Sequence, residues 1–186
     1  MMTTRMEKRR ERQAKKRRSI LRFAAELLAV VVLAALVRTF VFSITEVDGP
    51  SMQETLHSGQ IVAVEKISCR IHGVQRGQIV ICRYPGSYEY YIKRVVALGG
   101  DTLEIREGVT YLNGRALQED YVTHPAQEDF GLITVEPGRV FVMGDNRANS
   151  HDSRAEGALE ESDIIGRAVC VMFPFDQIKT LSVPQE

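Results

Sequence analysis

Three segments of this chain carry more reactive side chains than a structural scaffold requires. Ser51 follows the dipeptide Gly49-Pro50, whose proline restricts the backbone and can present the hydroxyl in a fixed direction. Lys93 lies in a run typical of a β-strand, residues 90–98. Residues 142–154 combine a strand pattern with a dense polar loop. A hydroxyl, an amine and a polar loop together suggest the chemistry of a serine–lysine hydrolase.

Lys93 can serve as a base only if its amine is neutral. Alternate residues of a strand share one face, so Lys93 shares a face with Tyr91 and Val95 while Arg94 points the other way. Burial against an apolar wall disfavours the ammonium form and lowers a lysine pKa by up to several units from about 10.4. Each part also fits a structural role, because a serine often lies in a turn and a strand lysine often reaches solvent.

The polar loop holds two acidic and two basic side chains that can neutralise one another. We expect Asp145 and Asp152 to pair with Arg147 and Arg154. Such pairs would hold the loop together and orient the lysine amine.

The part of the chain that follows residue 44 has the pattern of a mainly β, antiparallel domain. Asn113-Gly114 is a strong hairpin signal, because both central residues of that turn need positive φ. The acid-rich and turn-rich segment from about 101 to 137 is interpreted as a small insertion on the β core. The predicted strands are Gln60–Ile67, Gln78–Arg83, Tyr90–Leu98, Thr102–Arg106, Val109–Leu112, Arg139–Met143 and Ala168–Phe173.

The overall composition hides a division of charge. The 186 residues are 44% hydrophobic and 26% charged, which excludes a disordered, collagen-like or disulfide-dense chain. The 24 basic and 24 acidic residues cancel, but residues 1–19 hold nine bases and two acids, a net of +7. The remaining 167 residues hold 15 bases and 22 acids, a net of −7. A basic tail on an acidic body indicates a partner or a compartment boundary.

The apolar segment 20–44 separates the basic tail from the β-rich body. Arg22 and Arg38 lie near its two ends, where long cationic side chains can reach the membrane interface. We predict a single transmembrane anchor, with residues 1–19 as a cytoplasmic tail by the positive-inside rule and residues 45–186 outside the cytoplasm. The alternatives are a cleaved signal peptide, a buried core helix and an amphipathic helix on the membrane surface.

The cysteines do not form a metal-binding pattern. Cys69, Cys82 and Cys170 are odd in number, so at least one thiol is free or pairs between chains, and a Cys69–Cys82 disulfide is one option. The sequence has no C-x-x-C motif and no His/Cys cluster, so neither a metal nor another cofactor is expected.

Four motifs, in order behind the predicted anchor, resemble those of the bacterial type I signal peptidase family, in its shorter single-span form. Residues 49–56 resemble the nucleophile box and residues 59–66 the strand that follows it. Residues 91–101 resemble the lysine box, and residues 144–154 resemble the highly specific closing box. The match extends from the anchor to Phe173.

The resemblance implies a role for each matching residue. Ser51 would be the nucleophile, its backbone N–H would hold the oxyanion, and Lys93 would be the general base. Ser150 would hydrogen-bond the Lys93 amine and orient it. The closing loop would be held by structural residues, namely Asp145, Arg147, Asp152 and Arg154.

The chain departs from the family pattern at three places near the predicted site. Gly49 stands where some members supply a second oxyanion donor from a side-chain hydroxyl. Gln53-Glu54 stands in place of the usual x-Pro, and Gly99 in place of a proline. These differences change local geometry and remove no reacting group.

The resemblance also implies the substrate and the partners. The family cleaves signal peptides of exported preproteins after small residues at the first and third positions before the bond. Candidates for lining the shallow apolar pockets are Val47, Met52, Leu56 and Tyr91. The partners are then signal peptides and the lipid bilayer of the cell membrane, with no nucleic acid, and the oligomeric state stays open.

Several rival functions lack a matching pattern. A Ser-His-Asp hydrolase would use one of four histidines, but residues 49–53 depart from G-x-S-x-G at the last position. A penicillin-recognising enzyme needs S-x-x-K, and Glu54 occupies the lysine position after Ser51. A self-cleaving repressor would carry a DNA-binding module in the place where this chain has the apolar segment 20–44. An anchored β-domain that binds exported proteins is the non-enzymatic alternative.

Overall fold

The computed structural model describes residues 3–183. Residues 1–2 of the predicted tail and residues 184–186 of the predicted catalytic domain lie outside the described residues. The chain forms two compact units, residues 1–41 and residues 42–186.

The first unit is one long helix, α1, Thr3–Phe40. Its sequence contains neither proline nor glycine, the two strongest helix breakers. The segment Lys15–Phe40 contains an 18-residue window of mean hydropathy 2.5 and is long and apolar enough to cross a membrane by length and composition. The helix ends at Phe40. Residues 42–44 of the predicted anchor belong to the first strand.

The second unit is mainly antiparallel β-structure, as the sequence predicts. Its α-helices are α2, Ile67–His72, and α3, Ser153–Glu156, and short 3₁₀ helices lie at Arg147–Asn149, Glu161–Asp163 and Phe175–Gln177. Its strands are β1 Phe42–Glu46, β2 Ile61–Glu65, β3 Ile79–Cys82, β4 Tyr91–Leu98, β5 Thr102–Arg106, β6 Val109–Leu112, β7 Arg115–Ala116, β8 Phe130–Thr134, β9 Arg139–Met143, β10 Leu159–Glu160, β11 Ile164–Phe173 and β12 Lys179–Thr180.

The strands form two sheets within the described residues. Eight strands build the larger sheet in the order β1-β2-β11-β3-β4-β9-β10, with β12 paired to β11. The strand β4 therefore lies in the interior of this sheet, with β3 and β9 as neighbours. Two clusters of buried aliphatic side chains cover it, and both include residues of β3. An interior strand between two apolar clusters is a place where a lysine side chain loses its water.

The smaller sheet holds four strands of the described chain, in the order β7-β6-β5-β8, and spans residues 102–134. The hairpin between β6 and β7 turns at Asn113 and Gly114, with φ values of +51° and +76°. Leu112 pairs with Arg115 across this turn. The hairpin prediction is confirmed, because the Asn-Gly pair supplies the backbone conformation that the turn needs.

The structure differs from the sequence prediction mainly in its short elements. The helices α2 and α3 were not predicted, because six and four residues are too few to show a helical period. The strands β1, β8, β10 and β12 were also missed. All three cysteines lie within the described residues and are free thiols, so the Cys69–Cys82 disulfide is absent.

Candidate active site

Ser51 lies in a tight turn between β1 and β2 whose apolar side chains anchor it to the core. Gly49 has a φ of +86°, which residues with a side chain rarely adopt. Met52 and Leu56 follow Ser51 and are 1% and 0% exposed in the cluster below the turn. The half-buried serine is thereby held at the surface of a packed scaffold.

Lys93 reaches Ser51 from the interior strand β4. Its partner across β3 is Val80, and the lysine itself is only 3% exposed. The Nζ atom lies 2.8 Å from the Oγ atom of Ser51. The structure therefore brings together two residues that are 42 positions apart in the sequence. This distance allows proton transfer between the hydroxyl and the amine.

Burial sets the protonation of Lys93. Removal from water disfavours its ammonium form and lowers its pKa, while the charges of Asp152 and Asp145 act in the opposite direction and that of Arg154 adds to the lowering. The net effect is a pKa below the ordinary value of 10.5. Among the described residues no carboxylate forms an ion pair with the amine. Lys93 is thus biased toward the neutral form that a general base requires.

The closing loop packs directly against the turn of Ser51. The backbone N–H of Asn146 donates a 3.0 Å hydrogen bond to the carbonyl oxygen of Ser51. A Cβ atom at Gly144 would overlap this same carbonyl oxygen and the Ser150 hydroxyl. Glycine is therefore required at position 144 for the loop to approach the nucleophile so closely.

Ser150 lies beside the site, but its predicted contact is absent. Its hydroxyl oxygen is buried and has no partner of good hydrogen-bond geometry among the described residues, Lys93 included. It lies close enough to the Asp152 carboxylate to contribute to that group's lowered pKa.

The ion pairs of the closing loop are only partly those that the sequence suggested. Asp152 does pair with Arg154, through two contacts of 2.8 Å. Burial alone raises the pKa of Asp152, but these hydrogen bonds and the charge of Arg154 outweigh it and leave the pKa below its usual value. Asp145 pairs instead with Arg94, and Arg147 with Glu119. The prediction was wrong for these two because their partners lie outside the loop.

Asp145 links the lysine strand to the nucleophile turn, and sequence reasoning missed this link. Its carboxylate accepts hydrogen bonds of 2.8 and 2.7 Å from Arg94 and one of 2.5 Å from the Thr55 hydroxyl. Arg94 and Asp145 have side chains only 3% and 0% exposed. The signal available in the sequence was the alternation of β4, which directs Arg94 away from the face of Lys93.

Comparison with known proteins agrees with this geometry. The family model described as signal peptidase, peptidase S26, matches residues 20–173. The chain belongs to this family. It is therefore a peptidase, and so a hydrolase.

Individual relatives extend over most of the chain. Signal peptidase I of Bacillus amyloliquefaciens is 36% identical over 94% of this chain and 98% of its own length. The probable signal peptidase I-1 of Synechocystis sp. is 40% identical over 80% of both chains. A crystal structure of a signal peptidase I from Enterococcus faecalis V583 is 31% identical, with a TM-score of 0.46, and covers 50% of this chain and 95% of its own.

A cavity of about 170 Å³ in this S26 peptidase is lined by Ser51 and Lys93. Three of the predicted pocket residues line it, namely Val47, Met52 and Tyr91. Leu56 does not, because it is fully buried in the core below the turn. The rim also carries three exposed carboxylates, those of Glu46, Asp48 and Glu89.

Among the residues that the structure describes, the remaining histidine and carboxylate groups do not assemble a second centre. His151 has a side chain 58% exposed and lies 2.6 Å from Glu156. His57 lies 4.0 Å from Glu54 on the exposed side of the nucleophile turn. Within residues 3–183 no group of three or more His, Cys, Asp or Glu side chains could hold a metal ion.

The structure explains the glycine that replaces the family's usual proline. A Cβ atom at Gly99 would lie 2.9 Å from the carbonyl oxygen of Glu136 and from the Cα of Pro137. These are backbone atoms of the segment before β9, so any side chain at position 99 would displace them. Glycine at position 99 therefore fits the close approach of this segment in the present chain.

Proposed function

We propose that this chain is a membrane-bound serine endopeptidase that removes N-terminal signal peptides from exported preproteins. The relatives named signal peptidase I support the substrate class. The observation that carries the proposal is the 2.8 Å contact between the Ser51 hydroxyl and the amine of the buried Lys93. A lysine without a carboxylate partner among the described residues, aimed at a serine, has the arrangement of a general base and its nucleophile.

The reaction follows from this contact. Neutral Lys93 takes the proton of Ser51 as Oγ attacks the scissile carbonyl carbon, which gives a tetrahedral intermediate with a negative oxygen. The lysine then gives its proton to the departing amine, and the peptide bond breaks to leave an ester on Ser51. Lys93 next deprotonates a water molecule that attacks the ester. Collapse of the second intermediate returns the proton to Ser51 and releases the signal peptide.

The backbone N–H of Ser51 is the proposed donor to the oxyanion. No acceptor for this N–H is found among the described residues, so it is available to the substrate. Loss of one oxyanion donor costs about 10²–10³ in rate in other enzymes. Because Gly49 offers no side-chain hydroxyl, a second donor would be a backbone group or water, or is absent.

The cavity supports the preference for small residues before the cleaved bond. Its volume of about 170 Å³ is small, and Val47, Met52 and Tyr91 line it together with the dyad. An extended peptide between residues 45–48 and residues 89–92, which border the cavity, could place small side chains in it. We propose cleavage after small residues at the first and third positions.

The N-terminal helix supports a role as a membrane anchor. Its apolar part is long enough to span a bilayer, and the basic residues lie on its N-terminal side. By the positive-inside rule, the N-terminus would remain in the cytoplasm and residues 45–186, which hold 13 bases and 21 acids for a net charge of −8, would lie outside it. Ser51 follows the helix end at Phe40 by 11 residues.

Cleavage of a preprotein in detergent tests the proposal. Ser51→Ala and Lys93→Ala are each expected to abolish cleavage, because one removes the nucleophile and the other the base. His151→Ala is the matched control and is expected to keep near-normal activity, since that side chain is exposed and bound to Glu156. Normal activity of either dyad variant would refute the assignment.

N-terminal sequencing of the membrane-extracted protein tests the anchor. An intact N-terminus is expected. A new N-terminus near Glu46 would mean that residues 20–44 are a cleaved signal instead.

A further inference from the structure

The smaller sheet reaches the closing loop through one buried ion pair. Glu119 lies in the loop between β7 and β8, and its carboxylate contacts the Arg147 guanidinium at 2.9 and 2.5 Å. The two side chains are 8% and 2% exposed. Thr110 of β6 accepts a further hydrogen bond of 2.8 Å from Arg147. The insertion therefore surrounds the buried Arg147 side chain of the closing loop with hydrogen-bond partners.

Arg147 passes this restraint on to the backbone next to the nucleophile. Its Nε donates a 3.0 Å hydrogen bond to the carbonyl oxygen of Gly144. Gly144 is the residue whose Cα lies against the Ser51 carbonyl with no room for a side chain. A shift of Arg147 would therefore shift the peptide that packs on the Ser51 turn.

A second contact runs in parallel from the same loop to the lysine strand. The Tyr121 hydroxyl donates a 2.8 Å hydrogen bond to Glu119. The Tyr121 ring lies 3.9 Å from the guanidinium carbon of Arg94, the neighbour of Lys93. Arg94 in turn holds Asp145, which is bound to Thr55 of the nucleophile turn. Glu119 and Tyr121 thus touch both arginines that position the two halves of the dyad.

We propose that Glu119, supported by Tyr121, is a positioning residue of the active site, through which the insertion holds the closing loop and the Ser51 turn in register with Lys93. This rests on the proposed function only in taking Ser51 and Lys93 as the reacting pair. Glu119 touches neither residue and acts through Arg147 and Arg94.

Two physical arguments favour positioning over simple stabilisation. A buried ion pair contributes little net stability compared with apolar residues of the same volume, because desolvation offsets the attraction. An error of about 1 Å in the placement of reacting groups can cost about 10²-fold in rate. The Glu119–Arg147 pair fixes the peptide that adjoins the nucleophile, so its benefit is expected in the chemical step.

The test replaces the pair with apolar residues of similar size, Glu119→Leu with Arg147→Met. This double variant leaves no unpaired buried charge, so it is expected to fold with an unfolding midpoint near that of the wild type. We expect kcat on a preprotein to fall by about 10²-fold, with KM changed less than about threefold. A folded double variant with wild-type kcat would overturn the proposal.

Tyr121→Phe serves as a second variant if the double variant does not fold. It removes only the hydroxyl bonded to Glu119 and keeps the ring over Arg94. A fall in kcat of a few-fold at unchanged KM is expected, and wild-type kcat would count against the proposal. Glu104→Gln is the matched control, because it breaks an exposed ion pair with Arg106 in the same sheet and is expected to leave kcat unchanged.

A measurement independent of substrate separates this inference from the proposed function. The ¹⁵N resonance of the Lys93 Nζ, in the full chain in detergent, is expected to shift in the double variant and in Tyr121→Phe but not in Glu104→Gln. An unshifted resonance in all three refutes the coupling. If Ser51→Ala proves as active as the wild type, the proposed function fails, yet this resonance still decides whether Glu119 positions the lysine.

Discussion

Lys93 and Arg94 are adjacent residues of β4 that are buried to the same degree but have different hydrogen-bond partners. Lys93 is 3% exposed and Arg94 is 2% exposed. Arg94 meets both oxygens of the Asp145 carboxylate, whereas Lys93 meets the neutral hydroxyl of Ser51. Burial alone therefore does not decide what a buried cation does.

The difference lies in the partner supplied on each face of β4. A paired guanidinium keeps its charge and joins the lysine strand to the closing loop and the nucleophile turn. The Lys93 amine has no carboxylate in direct contact, so the loss of hydration outweighs the more distant charges of Asp152 and Asp145, and its pKa falls. One face of the strand therefore joins parts of the structure, and the other is the face proposed to carry the chemistry, here called the reactive face.

The largest effect is expected when the lysine of the reactive face is replaced by arginine. In Lys93→Arg the side chain stays cationic and cannot accept a proton from Ser51. We expect kcat to fall by about 10²–10⁴-fold, the usual contribution of a general base. Cleavage of a preprotein measures it. Retention of more than a tenth of the wild-type rate would show that no base is needed at this position.

The converse change removes the paired cation. Arg94→Met leaves the Asp145 carboxylate buried without its partner, which typically costs about 3–5 kcal/mol of folding stability. Urea unfolding in detergent monitors the loss. Lys93→Met is the matched control and is expected to leave the unfolding midpoint unchanged or higher, because it removes a buried amine that has no ion pair among the described residues. Equal destabilisation by both variants would contradict the comparison.

The pH profile examines the reactive face without mutation. Because Lys93 must be neutral to act, kcat/KM is expected to fall about tenfold per pH unit below its pKa. That pKa is lowered from the value of an ordinary lysine, so the enzyme should remain active at pH values where exposed lysines are fully protonated. A profile that is flat from neutral to acid pH would argue against a lysine base.

The smallest effect is expected at Thr55, whose hydroxyl joins the Ser51 turn to the Asp145 carboxylate. Thr55→Val keeps the shape and removes the 2.5 Å hydrogen bond to Asp145. Hydrogen bonds to charged groups contribute about 1.5–3 kcal/mol, so a loss at the lower end is expected, with a few-fold decrease in kcat. Parallel unfolding and cleavage assays measure both. Wild-type values in both assays would show that the Thr55 hydrogen bond contributes to neither stability nor kcat.

The separate elements of the reactive face follow from local patterns, whereas the contact between Ser51 and Lys93 joins residues 42 positions apart. The alternation of β4 separates Lys93 from Arg94, and Gly49-Pro50 marks the turn of Ser51. The mainly β fold and the Asn113-Gly114 hairpin likewise follow from short-range patterns and turn chemistry. The four motifs then indicated which serine and lysine to join.

The structural face was poorly predicted because its contacts are distant in sequence. Arg94 and Asp145 are 51 positions apart, and Arg147 and Glu119 are 28 apart. Nothing in the composition of the closing loop distinguishes an internal ion pair from one with the insertion. Leu56 was misplaced for a related reason, since an apolar residue beside a nucleophile fits a pocket and a core equally well.

The proposed mechanism requires a neutral Lys93 amine, and titration of its Nζ by ¹⁵N NMR measures that protonation state without substrate. The body from residue 42 to 186 contains three lysines, Lys66, Lys93 and Lys179, so Lys93→Arg identifies the resonance by its loss. We predict that the Lys93 Nζ titrates below the ordinary value of 10.5. Titration of Lys93 at or above that value would contradict the proposed serine–lysine mechanism.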